Sequence, residues 1–199
     1  VARPKLLVGF SDATALHALW HRAGVATIHG PTLSTLERWS KDARAELLRM
    51  LAGDAGGPYE GDYDAPRGAA GRLVGGNFSL VTAMVGTDAL PDLDGALLVL
   101  EDVDERTYRL DRYAEQLKQS GVLAGVAGIV LGQFTACGST RGDRTPPETI
   151  LREAFARLDV PVLSGVAVGH DDTTRALWLG RMARIEPVGP GRGVLSLEA

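Results

Sequence analysis

The chain has 199 residues, enough for one large domain or two small ones. Its 45% hydrophobic residues can bury a sizeable core. A net charge of -4 with no Lys/Arg block argues against nucleic acid or an anionic membrane as the main partner. Cys137 is the one cysteine, which excludes an intrachain disulfide and fits a reducing, cytoplasmic setting, and no apolar run approaches the ~18 residues of a membrane span.

The chain opens VARPKLLVGF at Val1 and enters an apolar run almost at once. A domain rarely begins on a buried strand, so this opening predicts further native sequence upstream. KLLVGF, followed by Ser11 and Asp12, reads as a buried strand of a parallel sheet. DATALHALWHRAG then places Ala13, Leu16, Leu19 and Trp20 at helical spacing, and Gly24 ends the helix. Val25 to Ile28 reads as a second strand running into His29-Gly30-Pro31, which completes a strand–helix–strand unit. TLERWSKDARAELLRMLAG is an amphipathic helical region.

Composition changes between Ala52 and Arg72, a stretch rich in Gly, Asp and Pro with little periodicity. It predicts a linker or long surface loop and divides the chain into residues 1–58 and 59–199. GRLVGGNFSLVTAMVGT follows as a strand, a Gly-Gly-Asn turn and a short helix. GALLVLED is a strongly apolar strand ending in acids, TYRLDRYAEQLKQSG a helix, and VAGIVLGQF another apolar strand. TPPETILREAFARLD is a helix with Pro in its first turn. VPVLSGVAVGH is a short strand running into Gly-His, and ALWLGRMARIEPVGPGRGVLSLEA predicts strands closing in an antiparallel hairpin.

Gly9-Phe10-Ser11-Asp12-Ala13 has the form strand, Gly-x-Ser, helix. A serine on such a turn projects above the carboxyl end of the sheet, and the N–H groups at the helix start face the same space. The usual hydrolase elbow carries Gly where Ala13 stands, and the pentapeptide alone also allows Ser11 or Asp12 to be a plain helix cap. A nucleophile needs a base, and the base an orienting acid. His170, in a Gly-flanked loop leaving an apolar strand, is the best base. Glu101, closing GALLVLE where ligand-facing residues of open α/β sheets gather, is the best acid. Both also have bland readings, as a loop histidine and as one of a solvated acid cluster.

His17 and His21 sit four apart, but Ala18 stands where a metalloprotease needs Glu, so no metal is expected, and the pair reads as a partly exposed helix face. His29 faces a cleft or caps a turn. Cys137 has no basic neighbour and reads as a small loop residue rather than a nucleophile.

PKLLVGFSDATALHALWHRAGVATIHGP resembles the nucleophile region of the serine LD-carboxypeptidases, the muramoyltetrapeptide carboxypeptidase family. GGNFSLVTAMVGT, GALLVLEDVDERTYRLDRYAEQLKQSG and GIVLGQF resemble that family's next blocks in order, and VPVLSGVAVGH resembles the block that delivers its histidine. The resemblance implies a triad of Ser11, Glu101 and His170, with the Asp12 N–H in the oxyanion hole. It implies a doubly wound, mostly parallel α/β domain, present in part and carrying the serine, and a second mixed α/β domain with a small barrel-like sheet. It further implies removal of the terminal D-alanine from murein tetrapeptides in the cytoplasm, no cofactor, and a possible homodimer. Asn77, Arg109 and Arg112 are candidate substrate-binding residues, with Arg72 a further candidate for the substrate carboxylate. Members of the family carry a stretch before the serine block that supplies sheet strands and one oxyanion N–H, and nothing here matches it. Two other readings stand beside this one. The first is a hydrolase resembling the microcin C self-immunity peptidases, for which an aromatic platform, with Trp178 the candidate, would be the mark. The second is a non-catalytic binding module on the same fold.

Overall fold

The computed structural model describes residues 3–138 and 145–198; Val1, where the chain opens, lies outside them. Strand β1 (Val8–Gly9) leads through a 3₁₀ turn at Ser11–Ala13 into helix α1 (Thr14–Arg22), and β2 (Thr27–His29) returns parallel to β1. The expected apolar face of α1 is not the buried one. Leu16 and Leu19 are 46% and 55% exposed, whereas Thr14, His17 and Ala18 face inward. Hydrogen bonds decide the orientation: Thr14 Oγ1 accepts the Asn77 N–H at 2.9 Å, and both ring nitrogens of His17 are bonded. Helix α2 (Lys41–Leu51), capped by Ser40, packs Ala43, Leu47 and Met50 with Ile28 and Trp39 into a small core.

The expected linker holds more structure than its composition suggests. β3 (Tyr59–Tyr63) lies inside it, with Tyr59, Gly61 and Tyr63 buried and Glu60 and Asp62 exposed, and β4 (Ala69–Asn77) begins before it ends. The period-2 alternation of YEGDY is a strand signal that the Gly and Asp content hid. β4 also runs straight through Gly75-Gly76-Asn77, where a turn was expected, into α3 (Phe78–Met84). Both glycines have positive φ, 128° and 134°, and a Cβ on Gly76 would lie 2.6 Å from Thr14 Oγ1. Glycine there lets the start of α1 seat directly on β4.

β5 (Leu97–Val103), α4 (Thr107–Gln119), β6 (Gly128–Thr135), α5 (Pro147–Phe155) and β7 (Val162–Ser164) extend the sheet, with β4 to β7 all parallel. β8 (Leu177–Leu179) pairs antiparallel with β2, so the small sheet has the order β1-β2-β8. β9 (Met182–Gly189) and β10 (Arg192–Leu197) form the expected hairpin and close a seven-stranded barrel, β10-β3-β7-β6-β5-β4-β9. The fold is thus mixed α/β, a closed barrel plus a second mixed sheet. Along β5, Leu97 and Val99 face the barrel core while Leu98 and Leu100 face α3, α4 and α5, the alternation a strand imposes. No helix among the described residues is long and apolar enough to cross a membrane.

Candidate active site

The carboxyl ends of the parallel strands converge: Gly9 of β1, His29 of β2, Asn77 of β4 and Glu101 of β5. Ser11 follows β1 with φ of 58°, the left-handed region that a non-glycine residue occupies only when its surroundings force it. A Cβ at Gly9 would lie 2.8 Å from the Ala13 Cβ, so Gly9 makes the room that a second glycine gives the usual elbow. The Ala13 N–H closes the turn on Phe10 O at 3.1 Å, while Asp12 occupies the first helical turn, where an N–H has no intrahelical acceptor.

Glu101 is fully buried at the barrel mouth, not part of a solvated acid cluster. The β5–β6 register slips between Leu100 and Asp102, placing Gly132 and Gln133 opposite Glu101 alone. Such bulges re-aim the facing side chain. Gly132 is required there, because a Cβ would lie 2.2 Å from Val168 O and 3.1 Å from the Glu101 Cβ. Glu101 Oε2 accepts the His170 Nδ1–H at 2.7 Å, and Oε1 lies 3.4 Å from His29 Nε2. Burial pushes the Glu101 carboxyl up, but the His170 hydrogen bond and the nearby His29 outweigh it and hold the group below its usual range.

His170 is held by its loop. Thr174 Oγ1 accepts the Gly169 N–H at 2.8 Å and donates to Gly169 O at 3.1 Å, and Gln133 N–H donates to Val168 O at 2.8 Å. With Nδ1 committed to Glu101, His170 Nε2 is buried without a partner among the described residues. The Phe10 ring packs on the His170 imidazole, centroids 4.6 Å apart. Glu101, His170 and the Ser11 turn therefore meet in one place, although no hydrogen bond joins Ser11 to His170 among the described residues.

The remaining candidates divide. Asn77 is buried and used by the fold. Its Oδ1 accepts the Leu80 N–H and the Ser79 hydroxyl as the cap of α3, and its Nδ2 donates to Asp102 Oδ1 at 2.9 Å. Arg109 lies 3.5 Å from Glu105, Arg112 stacks over Tyr108, and Arg72 donates to Gly180 O. None of these arginines touches Glu101 or His170. Burial pushes the Cys137 thiol up to about 12, and its sulfur accepts the Glu105 N–H, consistent with an inert loop residue. Trp178 packs against the small core and donates to Asp54 O. No group of three metal-ligating side chains occurs among the described residues.

Three residues escaped the sequence reading. His17 is buried rather than on an exposed face. Its Nε2–H donates to Gly9 O and its Nδ1 accepts from the Thr27 hydroxyl, and burial lowers its pKa to about 4. Glu46 and Arg175 form a two-point ion pair, 2.8 and 2.5 Å, tying α2 to the loop after His170. Nothing local marks that pair, because its partners are 129 positions apart.

A buried carboxylate–imidazole pair beside a strained serine turn, at the carboxyl ends of parallel strands, is the arrangement of serine hydrolases. The particular family follows from comparison. Residues 70–185 match the model of the LD-carboxypeptidase C-terminal domain and residues 1–30 that of the N-terminal domain, and the chain belongs to the LD-carboxypeptidase family. It is 34% identical over 197 residues to the murein tetrapeptide carboxypeptidase of Pseudomonas aeruginosa, covering 93% of this chain and 64% of that one. The crystal structure of muramoyltetrapeptide carboxypeptidase from Oxalobacter formigenes superimposes with a TM-score of 0.85 at 26% identity, covering 98% of this chain and 69% of that chain. The microcin C7 self-immunity protein MccF of Escherichia coli is 26% identical over 224 residues, covering 90% of this chain and 62% of that protein. The chain spans about three fifths of the length of the curated relatives it matches.

Proposed function

We propose that this chain carries the catalytic residues of a serine carboxypeptidase that removes the terminal D-alanine from murein tetrapeptides. The observation that carries the reading is the 2.7 Å bond from His170 Nδ1 to the buried Glu101, which leaves Nε2 free to act as a base. His170 Nε2 takes the Ser11 hydroxyl proton as the oxygen attacks the peptide carbonyl. Glu101 fixes the imidazole orientation and stabilises its cationic form. The Asp12 N–H stabilises the oxyanion, and the imidazolium passes the proton to the leaving D-alanine amine. Water, deprotonated by the same imidazole, then hydrolyses the acyl-enzyme. With Asn77 occupied as a cap, Arg109 and Arg112 at the start of α4 are the residues we assign to the substrate carboxylate. Residues 1–58 and 59–199 are the two units of this reading, with β1–α1–β2 as part of a doubly wound sheet and β8 crossing back to it.

The test is incubation of the purified protein with murein tetrapeptide and mass spectrometry for loss of one alanine. Ser11→Ala is expected to abolish that loss, and retained activity would remove Ser11 from the mechanism. The likeness to the microcin C7 self-immunity protein supports a second reading, cleavage of a peptide–nucleotide amide. Against it, Trp178 is engaged with the small core and Asp54, and the ring packed on His170 is Phe10.

A further inference from the structure

The triad reading leaves one buried group beside the acid unused. His29 is 1% exposed at the carboxyl end of β2. Its Nε2 lies 3.4 Å from Glu101 Oε1, the carboxylate oxygen that His170 does not bond. Neither ring nitrogen of His29, nor Glu101 Oε1, has a hydrogen-bond partner among the described residues. A buried carboxylate oxygen without a donor is costly, and the His29 ring is the adjacent group able to supply one.

From this juxtaposition we propose that His29 is a positioning residue for Glu101. It carries its proton on Nε2 and presents it to Oε1, so that the carboxylate is held between two imidazoles and the strength of its grip on His170 is set by His29. The inference rests on the reading of Glu101 and His170 as acid and base. The chemistry is a division of charge. A carboxylate with one donor on each oxygen has less negative charge to offer either partner, so His29 moderates the stabilisation that Glu101 gives the His170 imidazolium. Because β2 belongs to the sheet that carries Ser11 and β5 to the barrel, the contact also fixes the barrel mouth against that sheet.

Among the described residues, few other groups come near this pair. His17 from α1 has its ring centroid 6.2 Å from that of His29, while the neighbouring acids are engaged elsewhere, Asp102 with Asn77 and the Ser79 N–H and Asp171 with Thr173. His17 is neutral, with both nitrogens bonded elsewhere. Phe10 stands between the two outer imidazoles, its ring centroid 6.4 Å from His29 and 4.6 Å from His170.

The test is nitrogen-15 NMR of the imidazole rings in the full chain, which needs no turnover. In the wild type, the His29 signal at neutral pH is expected to show a protonated Nε2 whose shift moves in Glu101→Gln. A ring protonated only on Nδ1 would overturn the proposal without any variant having to fold. In His29→Leu the proton resonance of His170 Nδ1–H, which reports the bond to Glu101, is expected to move downfield as that bond strengthens. In His29→Gln, which keeps a donor near the Nε2 position, it is expected to stay close to wild type. Equal shifts in both variants, or none in either, would also overturn it. Wild-type turnover of murein tetrapeptide is read separately, so failure of the hydrolase reading is distinguishable from failure of this one.

Discussion

The small sheet and the barrel are built to different standards. The barrel closes on itself with seven strands, so no backbone edge is left open, and its core holds Tyr59, Tyr63, Leu73, Leu97, Val99 and Leu163, each nearly inaccessible. The small sheet has strands of two and three residues, and it leans on hydrogen bonds from Thr14 and His17 where the barrel uses leucines. Glu101 and His170 come from the barrel side and Ser11 from the small sheet. The difference teaches that rigidity is concentrated where a buried charge must be held. The Ser11 turn is placed by a few specific contacts, each of which can be removed singly.

The largest expected effect sharpens this division. Ser11→Ala should lower kcat on murein tetrapeptide about 10⁶-fold while leaving the urea midpoint near wild type, since Ser11 is not part of the buried core. A loss of activity matched by a loss of stability would mean that the site and the barrel are not separable. Next comes the link between the two regions. Arg175→Leu leaves Glu46, which is 5% exposed, as a buried charge without its partner. The expected cost is about 3 kcal/mol of unfolding free energy by urea titration, the lower end of the range because the Arg175 side chain is 30% exposed. A cost under about 0.5 kcal/mol would show that the pair behaves as a surface contact.

A pH experiment tests the small sheet alone. His17 has a folded pKa of about 4 against 6.5 unfolded, so between these values the unfolded chain binds the extra proton. Stability therefore rises with pH across this window. The His17 contribution is fully present above pH 6.5 and lost toward pH 4, a span of about 3 kcal/mol. His17→Leu should flatten that slope between pH 4 and 6.5, and an unchanged slope would place the burial of His17 in doubt. The smallest effect is at the cap of α2. Ser40→Ala removes the acceptor for the Ala43 N–H and should cost about 1 kcal/mol with no change in kcat.

Legibility in the sequence followed the range of the interaction. The β5 strand and its terminal Glu101 were readable because an apolar run ending in an acid is a local pattern, and so were the α5 and hairpin boundaries marked by Pro and Gly. Ser11, Glu101 and His170 could be singled out by type and position and by the ordered family blocks, and the structure brings the three segments together. The buried face of α1 was not, because Thr14 and His17 turn inward for partners on β4 and β2 that no helical periodicity encodes. β3 was missed because its alternation is carried by Tyr and Gly rather than by aliphatic residues. In the sequence His29 reads as facing a cleft or capping a turn. Its actual neighbour, Glu101, is set by packing between two sheets and lies far away in sequence.

The central claim is that Ser11 from the small sheet and His170 from the barrel act as one unit. It is tested most directly by comparing kcat on murein tetrapeptide for Ser11→Ala, His170→Ala and the double variant. The account predicts that all three fall to a common residual rate, because each removes the same nucleophilic attack. A double variant slower than either single variant by the product of their separate losses would contradict it.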